Sequence, residues 1–187
     1  MKIRAARPDD AAAIAAIYAP YVTGSVVSFE TDPPDAAEIG RRMAGDAGRY
    51  PWLAACDEGG ALLGYAYATA FRTRPAYRFS VETTVYVAGQ AHGRGTGRAL
   101  YEALLPVLEA QGFVQAVAAI TLPNAASVAL HERAGFRRIG AYEEVGFKQD
   151  GWHSVGLWQR ALAPLSDAPA EPKPLSAPGV AWPPPPR

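Results

Sequence analysis

Polar and apolar positions alternate with two different periods along this chain, and the changes of period mark its elements. Lys2 to Ala6 reads as a short strand. Pro8-Asp9-Asp10 then opens a helix through about Tyr21, with acidic residues in its first turn and Ile14, Ile17, Tyr18 and Tyr21 on one face. A turn at Thr31 to Pro34 precedes a second helix from Asp35 to about Ala44. The apolar runs 52–56 and 61–70 flank Asp57-Glu58-Gly59-Gly60 and predict a hairpin. A β-branched strand opens at Glu82 and leads into a loop with glycine at 93, 95 and 97. The helix after that loop carries Leu100, Leu104, Leu105 and Leu108 on one side and ends at Gly112. Residues 115–121 predict a buried strand, and 124–134 a helix stopped by Gly135. Residues 136–147 and 154–162 predict a final antiparallel pair. Strands and helices alternate, with hairpins at both ends, which argues for an α/β class with a mixed sheet.

From Pro164 the pattern fails. Nine of the last 24 residues are proline, so residues 1–163 are expected to form one domain and 164–187 a flexible, proline-rich tail ending PPPPR. A proline-recognising partner is one reading of that tail, an unstructured end the other. Composition narrows the partners. Lys+Arg and Asp+Glu both total 18, so nothing global selects nucleic acid or an anionic membrane surface. The single cysteine, Cys56, sits in the apolar run WLAAC and reads as core packing, with no Cys-rich metal site. The N-terminus turns polar too early for a signal peptide, and no apolar run approaches the ~20 residues of a membrane span. A soluble, cytoplasmic protein is expected.

Four groups of residues carry candidate chemistry. In the loop Gly93-Arg94-Gly95-Thr96-Gly97 close glycines let backbone N–H groups converge at a helix N-terminus, which suits a phosphate or pyrophosphate. Arg94 and Arg98 flank it. The spacing matches neither a Walker A loop nor a dinucleotide fingerprint. Glu82, one strand-length away, is a candidate general base if its carboxylate is desolvated; an exposed charge is the alternative. Asn124, Ser127 and His131 share one helix face, with a simple helix cap as the competing role of Asn124. Arg72, Arg74 and Arg78, interleaved with Phe71, Tyr77 and Phe79, suit an anionic small molecule beside Glu82 or a solvated basic loop.

Together these residues resemble the GCN5-related N-acetyltransferase (GNAT) superfamily, whose pyrophosphate motif Gln/Arg-x-x-Gly-x-Gly/Ala matches His92 to Gly97 with His in the leading position. The stretches SFETDPP, RYPWL, ETTVYV, LEAQGF, LPNAASVALHE and GWHSVGLWQR are similar to the phosphinothricin N-acetyltransferase branch and reach nearly to Leu162. The resemblance implies a mostly antiparallel, splayed sheet flanked by helices, with acetyl-CoA as co-substrate and no metal. It implies backbone contacts from Val85, Tyr86 and Val87 to the acetyl-pantetheine. Gly93, Arg94, Gly95, Thr96, Gly97 and Arg98 would lie around the pyrophosphate, with a further contact from Asn124. Glu82 matches the family's general base and His131 the position of its candidate acid. Phe29, Arg72, Arg74 and Tyr77 match the acceptor pocket. The implied acceptor is phosphinothricin or a similar amino acid, acetylated by direct transfer, and a homodimer is the family expectation. Methionine sulfoximine, methionine sulfone or another amino acid remains an alternative acceptor. A non-catalytic acyl-CoA sensor remains an alternative of another class.

Overall fold

The structure is a computed structural model and describes residues 1–182. Its elements in order are β1 (Lys2–Ala5), α1 (Ala11–Thr23), α2 (Ala36–Asp46), β2 (Trp52–Cys56), β3 (Leu62–Ala70), β4 (Ser80–Val87), α3 (Thr96–Gln111), β5 (Gln115–Leu122), α4 (Ala125–Arg133), β6 (Arg137–Lys148) and β7 (Gly151–Ala161). The strands form one seven-stranded sheet in the order β1-β2-β3-β4-β5-β7-β6. Only β4 and β5 run parallel, and α3 supplies the crossover that a parallel pair requires. The mixed, mostly antiparallel sheet flanked by helices is the expected architecture. The boundary that positions the candidate base differs from expectation. β4 begins at Ser80, because Ser80 and Val81 already pair with Gln115 and Ala116 of β5, so Glu82 lies inside the ladder rather than opening it.

Strand alternation sorts the two faces. Leu53, Ala55, Ala66, Ala68, Val81 and Ala116 point to one side. There they meet the leucine stripe of α3, where Leu100, Leu104 and Leu108 are fully buried. Trp52, Tyr65 and Tyr86 point to the other side, against Ile14, Ile17 and Tyr18 of α1 and Ile39 of α2. Tyr67 adds a ring stacked on Trp52 at 4.0 Å between centroids. Cys56 is buried in this sheet, as expected. Among the described residues no helix is long and apolar enough to cross a membrane.

The parallel pairing of β4 and β5 lasts only three registers, from Ser80↔Gln115 to Glu82↔Val117. From Thr83 onward β4 keeps its β3 neighbour, through Val87↔Gly64, but loses β5. The sheet therefore opens into a wedge, and Glu82 stands at its apex.

The tail departs from the expectation of a free end. Its described part, 164–182, has no helix or strand, yet it docks on the back of α3. Leu175 and Val180 are buried against Val107. Lys173 donates its N–H to the Gln111 carbonyl at 2.7 Å, Leu175 donates to Gly48 at 2.8 Å, and the buried Gln111 amide donates to the carbonyls of Arg49 and Lys173. Backbone groups that proline leaves free thus find fixed partners. PPPPR, and the docking role considered for it, lies outside the described residues. Leu175→Asp places a charge against Val107 and is expected to speed hydrogen exchange at the Lys173 amide about tenfold or more. Unchanged exchange would show that the segment is held without Leu175.

Candidate active site

The glycine loop begins where β4 ends. Gly93 and Gly95 adopt φ of 71° and 80°, a region that side chains disfavour, and Gly95 is the N-cap of α3. No side chain caps that end, so the first N–H groups of α3 face the cleft with the partial positive charge of the helix. Gly97 sits under α4: a Cβ there would come within 2.9 Å of the Leu130 side chain. The cleft is lined by Val85, Tyr86 and Val87 of β4, by His92, Gly93, Gly95, Thr96, Gly97 and Arg98, and by Asn124 and Ser127 of α4. Every predicted cofactor residue except Arg94 lies on this one surface. Arg94 is exposed and outside it.

Two links fix this wall. The Tyr21 hydroxyl donates to the Val87 carbonyl at 2.5 Å and lies 2.9 Å from His92 Nε2, tying α1 to the loop. The Asn124 carboxamide oxygen accepts the Ser127 N–H at 3.0 Å and caps α4. Capping and lining are therefore both met by Asn124, and its amide nitrogen remains for a ligand.

At the apex, Glu82 is half-buried and its carboxyl is pushed above the ordinary range by desolvation, an effect that Arg72 partly offsets. Arg72 Nη1 stands 3.8 Å from Glu82 Oε2 and its guanidinium covers the Phe71 ring. Tyr77 packs edge-on against Phe71 and is exposed, as is Arg74. Phe29 lies apart from these, in the α1–α2 connection, with its ring against Gly146 of β6. Of the four predicted acceptor residues, only Arg72 is brought directly to Glu82.

His131 is not among the residues that line the cleft. It is buried between Tyr101 and Phe136. Its Nδ1 lies 2.7 Å from the Ser127 carbonyl, which accepts only, so Nδ1 carries the proton. Nε2 then accepts from the Tyr101 hydroxyl at 2.8 Å. Burial lowers the proton affinity of His131 and holds it neutral. Tyr101, which the sequence reading missed, borders the cleft in its place and lies 3.4 Å from Thr83 Oγ1, where β4 leaves β5. Its one sequence signal is a tyrosine inside the leucine stripe of α3. Among the described residues no cluster of three or more acidic, His or Cys side chains suits a metal.

The Acetyltransferase (GNAT) domain family model matches residues 3–154. The phosphinothricin N-acetyltransferase of Streptomyces viridochromogenes is 42% identical over 175 residues, covering 94% of this chain and 93% of that one. The L-methionine sulfoximine/L-methionine sulfone acetyltransferase of Pseudomonas paraeruginosa is 38% identical over 170 residues, covering 89% and 98%. Among solved structures, a GNAT superfamily phosphinothricin acetyltransferase from Sinorhizobium meliloti in complex with AcCoA superposes with a TM-score of 0.85 at 39% identity, covering 90% of this chain and 92% of that one. The wedge between β4 and β5, the glycine loop beneath it and these likenesses agree: the chain belongs to the GNAT acetyltransferases and, within them, to the phosphinothricin N-acetyltransferase family.

Proposed function

We propose that this protein transfers the acetyl group of acetyl-CoA to the α-amine of phosphinothricin or a similar small amino acid, with Glu82 as general base. The observation that carries this reading is the position of Glu82: a partly desolvated carboxylate at the point where β4 and β5 separate.

The chain's own groups fit acetyl-CoA. The uncapped N-terminus of α3 and the positive-φ glycines suit its pyrophosphate, and the open edge of β4 at Val85 to Val87 offers backbone groups to an extended pantetheine arm. When bound, the thioester supplies an activated acyl carbonyl. Glu82 accepts a proton from the acceptor amine, which is otherwise mostly protonated at neutral pH with a pKa of about 8. A backbone N–H of the Val85–Val87 edge faces the developing negative oxygen. The leaving thiolate takes its proton from solvent or from the Tyr101 hydroxyl at the cleft wall, whose one hydrogen must first leave His131 Nε2. Arg72 beside Glu82 orients an anionic part of the acceptor.

The names of relatives support two acceptor types, phosphinothricin and methionine sulfoximine or sulfone. Both pair an α-amino acid head with a tetrahedral, oxygen-bearing centre; only phosphinothricin carries a second negative charge. A thiol-release assay with acetyl-CoA that compares kcat/KM across these acceptors and the common amino acids tests the reading. A preference for phosphinothricin that falls selectively in Arg72→Gln supports a contact to phosphinate. No release with any amino acid, alongside acetyl-CoA binding, returns the chain to the sensor reading.

We also propose that a second copy of this chain covers the β6–β7 hairpin. β6 is an edge strand; Tyr142, Val145 and Phe147 on it are 48%, 55% and 60% exposed, and Trp152 at the start of β7 is 63% exposed. Sedimentation of the wild type is expected to give a dimer, and Trp152→Lys with Phe147→Lys a monomer. A monomeric wild type at micromolar concentration rejects the proposal.

A further inference from the structure

The connection from Gly24 to Asp35 contains no helix or strand, yet it carries Phe29 and sets Val27 on the wall of the cleft. An irregular segment of this length is ordered only if its backbone is tied to something rigid. The strongest tie comes from Lys148, the last residue of β6. Its ammonium donates to three main-chain carbonyls, those of Val22 at 2.5 Å, Ser28 at 2.7 Å and Glu30 at 2.9 Å. An ammonium has three donors, so all three are used: one goes to the helix turn that leads into the connection and two to its middle. Val22 lies in the last turn of α1, where unpaired carbonyls and the helix dipole favour a cation. The neighbouring carbonyls there are met locally, Pro20 by the Gly24 N–H and Tyr21 by the Ser25 hydroxyl, which leaves Val22 to the lysine.

A second contact joins the same partners. The Phe29 ring rests on Gly146 so closely that a Cβ there would fall 2.1 Å from it. Thr121 of β5 adds a bond to the Val27 carbonyl at 3.3 Å. β6 thus holds the connection just before its start and in its middle through Lys148, and at Phe29 through Gly146.

We infer that Lys148 is a positioning residue for the acceptor: by clasping the carbonyls of Val22, Ser28 and Glu30 it holds in place the connection that carries Phe29 and sets Val27 on the wall of the cleft. The inference rests on the acetyltransferase reading above and adds a residue that touches neither substrate. Its signature is a split between the two substrates, because the pyrophosphate loop and α3 have no contact with Lys148.

Lys148→Met in the full chain keeps the aliphatic stem and removes the three donors. Acceptor KM, with phosphinothricin and methionine sulfone as probes, is expected to rise about tenfold or more, while the acetyl-CoA Kd from calorimetry and kcat stay within about twofold. Hydrogen exchange across 24–32 is expected to quicken in the same variant. An unchanged acceptor KM overturns the inference. So does a rise in acetyl-CoA Kd in step with acceptor KM, which marks general support of the fold. If Lys148→Met fails to fold, Gly146→Ala decides by the same split, since its methyl displaces the Phe29 ring. Phe29→Ala separates this inference from the reading beneath it. Unchanged acceptor KM in Phe29→Ala removes the connection from the acceptor site altogether. A raised KM there, with Lys148→Met unaffected, overturns the clasp alone.

Discussion

Glu82→Gln is expected to lower kcat by about 10²–10⁴-fold while leaving the Kd of acetyl-CoA unchanged. The substitution keeps the shape of the side chain and its place between Thr69 and Val117, and removes the negative charge that faces Arg72 together with the capacity to accept a proton. Desolvation places the carboxyl pKa above 4.5, so the acid limb of kcat/KM is expected to rise through that higher value and to vanish in the variant. The same shift has a consequence for stability. A carboxyl whose folded pKa is raised binds its proton more tightly folded than unfolded. Its contribution is therefore complete below 4.5 and is lost as pH climbs through the raised value. At neutral pH the charged Glu82 opposes folding, and Glu82→Gln is expected to melt slightly above wild type. Retention of full activity in this variant, with its Tm raised or not, would dismiss Glu82 as the base.

The parts of this site that follow from local chemistry were legible in the sequence. A β-branched run, three glycines and a leucine stripe dictate strand, loop and helix by themselves, and these place Val85 to Arg98 on one wall. The family resemblance added the splay of the sheet. Contacts set by register and tertiary packing were not legible. Ser80 and Val81 join β4 because Gln115 and Ala116 offer partners, not because of their own types. His131 and Asn124 share a helix face as expected, but the rotation of α4 against α3 turns the imidazole inward to Tyr101. Lys148 reads as one more charged residue near a turn, since its partners are carbonyls of an irregular segment that no periodicity marks. Leu175 and Val180 are isolated apolar residues among prolines, and only the back of α3 gives them a surface to cover.

Tyr101→Phe carries the second large expectation. The Tyr101 phenol is buried, and desolvation raises its proton affinity, so it stays a neutral donor throughout the working range. Its hydrogen goes to His131 Nε2, because His131 Nδ1 is already committed to Ser127. A proton can therefore move from Tyr101 toward a thiolate only if the hydroxyl turns its hydrogen away from His131 Nε2. Removing the hydroxyl leaves a buried imidazole nitrogen unpaired, at a cost of about 1–3 kcal/mol in stability. Packing alone predicts that loss and nothing more. If the hydroxyl also protonates the leaving sulfur, kcat falls by about 10²-fold as well, the low end of acid–base catalysis because solvent can partly substitute. The acetyl-CoA Kd stays unchanged in both cases. His131→Gln, whose amide oxygen can accept from Tyr101, is then expected to keep more activity than His131→Leu. A lowered Tm with kcat within about twofold of wild type would confine Tyr101 and His131 to packing beneath the cleft, and the departing thiolate would take its proton from water.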